Sequence, residues 1–183
     1  ATMYLHNALN PCQSVAWINI GVAGHFQGPV GTLFQAVKVV NNNDGKSFFP
    51  GLRFSRLAKT AELYTVSFPE SEFALPVLYD MEAAGFCEIA PSLSCNELTF
   101  VLKIVSDTSE HSQSSITKRM ITDLFERNFT IIDKLLEAII KIVIREEVRL
   151  GHPLEMDEIM PLLHFTETNR LRFQKIYKKW CCV

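Results

Sequence analysis

Val15-Ala16-Trp17-Ile18-Asn19-Ile20 runs without interruption into Gly21-Val22-Ala23-Gly24. A short apolar run closed by small residues reads as a buried strand entering a tight turn. Leu98 to Val105 is the most strand-like stretch of the chain, and it ends on Ser106-Asp107. Between these two, Phe34 to Val40 predicts a strand ended by the turn cluster Asn41-Asn42-Asn43-Asp44-Gly45. Leu63 to Phe68 predicts another, stopped by Pro69. Val77-Leu78-Tyr79 leads to Asp80, and Met81 to about Ala90 reads as a helix. From Ser114 the apolar period becomes 3.6. Ile116, Met120, Leu124, Ile131, Leu135 and Ile139 mark one face of a long helix to about Leu150, closed by Gly151 and Pro153. Unbroken, that helix would outrun the width of the domain, which predicts a break near Asn128. Residues 2–9 read as the end of a helix stopped by Asn10-Pro11, and two more helices are expected over about 155–163 and 166–180. Strands interspersed with helices and followed by a helical tail make an α/β class.

Composition narrows the function classes. The chain has 183 residues, the size of one domain, and can bury a core without a disulfide or metal staple. Its 48% hydrophobic and 21% charged residues suit a globular protein and not a disordered one. Eighteen Lys+Arg against twenty Asp+Glu give −2, so a broadly basic nucleic-acid surface is excluded. The greasiest stretch, Ile131 to Ile144, carries Asp133, Lys134, Glu137 and Lys141 and falls short of a membrane span. No signal peptide is read at the N-terminus. Five cysteines (Cys12, Cys87, Cys95, Cys181 and Cys182) without regular spacing point to a reducing compartment, hence the cytoplasm. There is no CxxC pair, and the five histidines lack metal-ligand spacing. Neither a metal nor another cofactor is expected.

Three short motifs can carry chemistry. Ile18-Asn19-Ile20-Gly21-Val22-Ala23-Gly24 is either an anion or sugar cradle at the carboxyl end of a strand or a tight turn with close packing. In Tyr79-Asp80-Met81-Glu82-Ala83-Ala84-Gly85, Asp80 reads as an N-cap and Glu82 as a first-turn acid favoured by the helix dipole. The other reading uses the small residues that follow: a crowded helix start where Glu82 could hold vicinal hydroxyls with two oxygens. In Lys103-Ile104-Val105-Ser106-Asp107-Thr108, a carboxylate just past a buried strand is either placed to donate a proton or is a turn acid.

Taken together, in this order and with Glu82 and Asp107 25 residues apart, the motifs resemble the purine nucleoside phosphorylase and nucleosidase superfamily. The nearest pattern is that of the methylthioadenosine/S-adenosylhomocysteine nucleosidase type, with its N-x-G-x-A-G turn, D-M-E-A-A helix start and S-D pair. The resemblance covers residues 1 to about 140. It implies a three-layer αβα fold with a central mixed sheet, and hydrolysis of the N-glycosidic bond of a purine nucleoside. Asp107 would then be the catalytic acid at the purine N7, with Ser106 beside it. Glu82 would grip the ribose hydroxyls, Met81 would lie against the ribose, Ala23 and Gly24 would line the pocket floor, and Phe68 would stack on the purine. A small-molecule nucleoside is the expected partner, with no membrane or nucleic acid, and the resemblance implies a homo-oligomer.

The departures bear on mechanism. Members of the family extend further at the N-terminus, where they carry a first strand and a water-activating acid, and residues 1–20 contain no Asp or Glu. Three expectations follow: a chain beginning at Ala1 that is a fragment or processed product, a partner chain that supplies the base, or an inactive protein. Val22 stands where a serine often contacts the nucleophile, and Asn19 where some phosphorylases hold phosphate with an arginine. Both favour hydrolysis over phosphorolysis, and leave a catalytically inactive nucleoside-binding or assembly subunit, or a phosphorylase, as the alternatives. Residues 1–145 are expected to form the nucleosidase-like domain and 146–183 a helical extension packed on it. The basic residues Arg170, Arg172, Lys175, Lys178 and Lys179 with the aromatic Phe173, Tyr177 and Trp180 read as an amphipathic docking helix or, alternatively, as a nucleic-acid or partner patch.

Overall fold

The computed structural model describes residues 2–9, 15–70, 73–109, 116–149 and 156–180. Its helices are α1 (Thr2–Leu9), α2 (Ala83–Leu93), α3 (Lys118–Arg149), α4 (Met156–Ile159) and α5 (Glu167–Trp180). Its strands are β1 (Trp17–His25), β2 (Leu33–Asn41), β3 (Ser47–Phe48), β4 (Lys59–Thr65), β5 (Leu78–Asp80) and β6 (Thr99–Thr108). The expected stops at Asn10-Pro11, Gly151 and Pro153 lie outside the described residues.

The strands form one mixed sheet in the order β3-β2-β4-β5-β1-β6, and β2 also pairs with β6, so the sheet closes on itself. β1 runs parallel to β6, while β2 meets β6 antiparallel through Leu33–Ile104, Phe34–Lys103 and Gln35–Leu102. All ten residues of β6 are buried. Alternation explains how: Val101 and Val105 join Ala83, Ala84 and Cys87 of α2 in one cluster, whereas Leu102 and Ile104 join Leu124 and Leu135 of α3 in another. A strand covered on both faces reads as a continuous apolar run, which is why Leu98 to Val105 was so conspicuous.

Several boundaries differ from expectation. β1 does not turn at Gly21–Gly24 but continues through them to His25, because β6 pairs with it along its whole length. Likewise Ser106 and Asp107 lie inside β6, not beyond it. The strand expected over Leu63–Phe68 occupies Lys59–Thr65, set by parallel pairing with β2. α2 begins at Ala83, leaving Glu82 as its N-cap instead of a first-turn residue; Asp80 caps from further back by accepting the Ala83 N–H at 3.0 Å. α3 is one unbroken helix of 32 residues, about 48 Å long. No break occurs at Asn128, whose Nδ2 donates to the carbonyls of Gly31 and Leu124, both at 2.9 Å, and so pins the helix to the β1–β2 connection. The helix instead outruns the sheet, for beyond Ile139 none of its described residues is fully buried.

Candidate functional site

A cavity of about 680 Å³ opens where the carboxyl ends of β1 and β6 meet the start of α2. Asn19 to Gly24 form its floor, Lys103, Ser106 and Asp107 one side, Asp80 to Glu82 the other, and Ile121 and Phe125 of α3 part of the wall. The three sequence motifs, spread over residues 18–108, meet here because β1 and β6 are parallel neighbours and β5 delivers the chain to α2 beside them.

A β-bulge aims Asp107. Ala23 pairs with Val105, but Gly24 pairs with Asp107, so Ser106 is the extra residue. Asp107 is 3% exposed. Its Oδ1 accepts a hydrogen bond from Ser106 Oγ at 2.5 Å, and that hydroxyl also lies 3.4 Å from the Ala23 carbonyl. Its Oδ2 is buried and has no hydrogen-bond partner among the described residues. A Cβ on Gly24 would stand 3.0 Å from that oxygen and would collide with the Phe73 ring. Glycine at 24 is therefore what lets the carboxylate and the aromatic ring approach the same strand. Asn19 Oδ1 is a second buried acceptor on the cavity lining without a partner among the described residues.

Opposite lies an ion pair that the motif reading did not anticipate. Lys103 Nζ donates to Asp80 Oδ2 at 2.8 Å, with side-chain exposures of 2% and 1%. Asp80 Oδ1 accepts from Thr65 Oγ1 at 2.8 Å, and Thr65 Oγ1 in turn accepts the Ala84 N–H at 2.9 Å. Glu82 projects at the cavity mouth, mostly exposed, with Oε2 4.0 Å from Lys103 Nζ. Met81 lines the cavity and is half exposed. The sequence held a signal for this pair, a single lysine in the most apolar strand of the chain, since such a charge must be paired or solvated.

Of the residues singled out from sequence, Ala23, Gly24, Met81, Glu82, Ser106 and Asp107 line the cavity together. Phe68 does not: it follows β4 instead of ending it, is 81% exposed, and is absent from the lining. The aromatic residues lining the cavity are Phe73, Tyr79 and Phe125; Phe73 is buried, edge-on to Tyr79 at 5.5 Å, and held at φ 45°, a left-handed conformation uncommon for an aromatic residue. Nothing in the local sequence announced it.

Two neighbouring groups are held neutral. His25 follows Gly24, stacks on Phe34 at 5.5 Å, and accepts the N–H groups of Gln27 and Gly28 at Nδ1. Burial keeps its pKa below the usual histidine value. The Cys87 thiol, buried under the cavity floor in α2, is pushed up to about 12 by burial and then by the negative charge of Asp80. We expect Cys87 to resist alkylation at pH 8 in the folded protein and to react only on unfolding. Fast labelling of Cys87 under native conditions, read by peptide mass mapping, would contradict this placement. Among the described residues no cluster of three or more His, Cys, Asp or Glu could hold a metal, and no helix is long and apolar enough to cross a membrane.

No protein-family model matches the sequence, and no curated protein is similar to it. Solved structures do match. The chain is similar to the crystal structure of an MTA/SAH nucleosidase at 15% identity and TM-score 0.51, over 69% of this chain and 61% of that one. It is similar also to the 5′-methylthioadenosine/S-adenosyl homocysteine nucleosidase of Campylobacter jejuni, at 13% identity and TM-score 0.57, over 75% of this chain and 74% of that one. At these identities the likeness is one of fold. The chain has a mixed αβ fold shared with nucleosidases of this type, as the motif resemblance implies, and spans 61% of the length of the first of the two.

Proposed function

We propose that the cavity binds a purine nucleoside of the methylthioadenosine or S-adenosylhomocysteine kind and cleaves its N-glycosidic bond by hydrolysis. The observation that carries this is Asp107 Oδ2, a buried carboxylate oxygen lining the cavity with no partner among the described residues. Buried polar groups are rarely left unpaired, so a ligand atom is its natural complement. Ser106 occupies Oδ1, which leaves Oδ2 to deliver a proton to the purine N7. The C1′–N9 bond then breaks, the base departs neutral, and water oxygen bonds to C1′; the proton that the water loses returns to Asp107 through solvent. Glu82 holds the ribose hydroxyls and opposes the positive charge that grows on the sugar. Phe73 takes the place that the sequence reading gave to Phe68 beside the base.

Hydrolysis is favoured over phosphorolysis by charge. Among the described lining residues the one cation is Lys103, tied to Asp80, while Glu70, Glu82 and Asp107 are acidic. A phosphate dianion finds no unpaired positive group there. The same reading takes α2 and α3 as outer layers of a three-layer fold, residues 1–145 as the nucleosidase-like part with 146–183 as its extension, and the working form as a cytoplasmic homo-oligomer.

The test is free-base release from methylthioadenosine, S-adenosylhomocysteine, adenosine and inosine, each with and without phosphate. Release without phosphate is expected. Binding without release would make the chain a nucleoside-binding protein, and release only with phosphate would make it a phosphorylase. Within this scheme Glu82→Gln should weaken nucleoside binding by about tenfold and leave free adenine unaffected, since only the sugar meets Glu82. Equal losses for nucleoside and base, measured by titration calorimetry, would remove Glu82 from the ribose site.

A further inference from the structure

The chemistry above leaves Lys103 without a task, although its side chain is only 2% exposed in the cavity wall. Burying an ammonium costs several kcal/mol unless it is paired, and Asp80 supplies the pairing at 2.8 Å. The Asp80 carboxylate is itself held by Thr65 and by the first N–H of α2, so the ammonium is fixed relative to the start of that helix. On the other side a Cβ at Gly21 would come within 3.3 Å of Lys103 Nζ, tighter than ordinary contact. Gly21 thus makes room for the lysine. Among the described residues the charged group nearest this fixed ammonium after Asp80 is Glu82, with Oε2 4.0 Å away.

We propose that Lys103, anchored by Asp80 and given room by Gly21, is a positioning residue that holds the Glu82 carboxylate toward the sugar; this rests on the ribose role given to Glu82 above. An exposed glutamate samples several rotamers, and a fixed cation on one side biases it toward the cavity. The bias strengthens when a ligand displaces water, because the attraction between the charges grows as the local dielectric falls. Asp80 has a second consequence. At longer range it offsets the charge of Lys103, so the ion pair adds little to the positive charge on the sugar.

The test compares 9-deazaadenosine, whose carbon–carbon glycosidic bond cannot be hydrolysed, with 9-deazaadenine, both carrying a hydrogen at N7. In the wild type the nucleoside should bind tighter than the base. Gly21→Ala, which crowds Lys103 without removing any charge, should cut that ribose increment about tenfold and leave the base within about twofold. In a Glu82→Gln background the same Gly21→Ala change should have no further effect, which a merely structural role for Gly21 would not produce. An unchanged increment in Gly21→Ala, or equal losses for nucleoside and base, would overturn the positioning role. A wild type in which ribose adds nothing to affinity would instead overturn the reading of Glu82 itself. Thermal melting of each variant confirms that the comparison is made on folded protein.

Discussion

Asp107→Asn is expected to lower base release by a factor of ~10²–10⁴ while changing nucleoside affinity by no more than about threefold. The substitution keeps the shape of the side chain, its acceptor toward Ser106 Oγ and its place opposite Gly24. What it loses is the transferable proton. The Asn Nδ2 can still donate a hydrogen bond to N7, so the ligand is still recognised, but it cannot leave its proton on the departing base. The effect should therefore appear in kcat and spare KM. Single-turnover measurement with methylthioadenosine separates the two. Turnover close to wild type would sink the assignment of Asp107, and with it the hydrolytic scheme. Ser106→Ala should give a smaller loss in the same direction, because the carboxyl group remains but loses the contact that directs it.

The second large effect is on stability. Lys103→Met should destabilise the fold by about 3–5 kcal/mol, since it leaves the Asp80 carboxylate buried without its counter-charge. Thr65 and the Ala83 N–H still bind that carboxylate, which argues for the lower half of the range. Adding Asp80→Asn should recover much of the loss, because the amide carries no charge and retains an acceptor for Thr65. Urea unfolding of wild type, single and double variants at pH 7 gives the comparison directly. A loss below about 1 kcal/mol in Lys103→Met would mean that solvent, and not Asp80, carries the ammonium.

Both residues show how sequence reading succeeded and where it stopped. Asp107 and Glu82 were legible because short motifs around them held together in order and spacing, and because small residues at Gly24, Ala83 and Ala84 signal close approach of chain segments. Lys103 stood in the third motif but drew no inference, since a lysine in a strand looks the same whether it faces water or an aspartate 23 residues away. Phe68 is singled out by its position in the motif order, while Phe73 carries no sequence signal of its own. Which of the two faces the cavity depends on the end of β4 at Thr65 and on the left-handed turn at Phe73, neither encoded in hydrophobic pattern.

The sequence by itself marked the strands β1, β2 and β4, the buried strand at Leu98 to Val105, the amphipathic character of α3 and the α/β class, because these follow from local periodicity and turn chemistry, whereas the short strands β3 and β5 carry no such pattern. It also marked most of the residues that line the cavity. Tertiary structure alone decided that the sheet closes through β2 and β6, that β1 runs past its glycines to His25, that the bulge at Ser106 sets Asp107 opposite Gly24, and that Lys103 meets Asp80. Each of these depends on which strand lies beside which. Strand pairing joins residues far apart in the chain, and the energy that selects the pairing comes from burying both faces of β6 at once, a quantity that no local window contains.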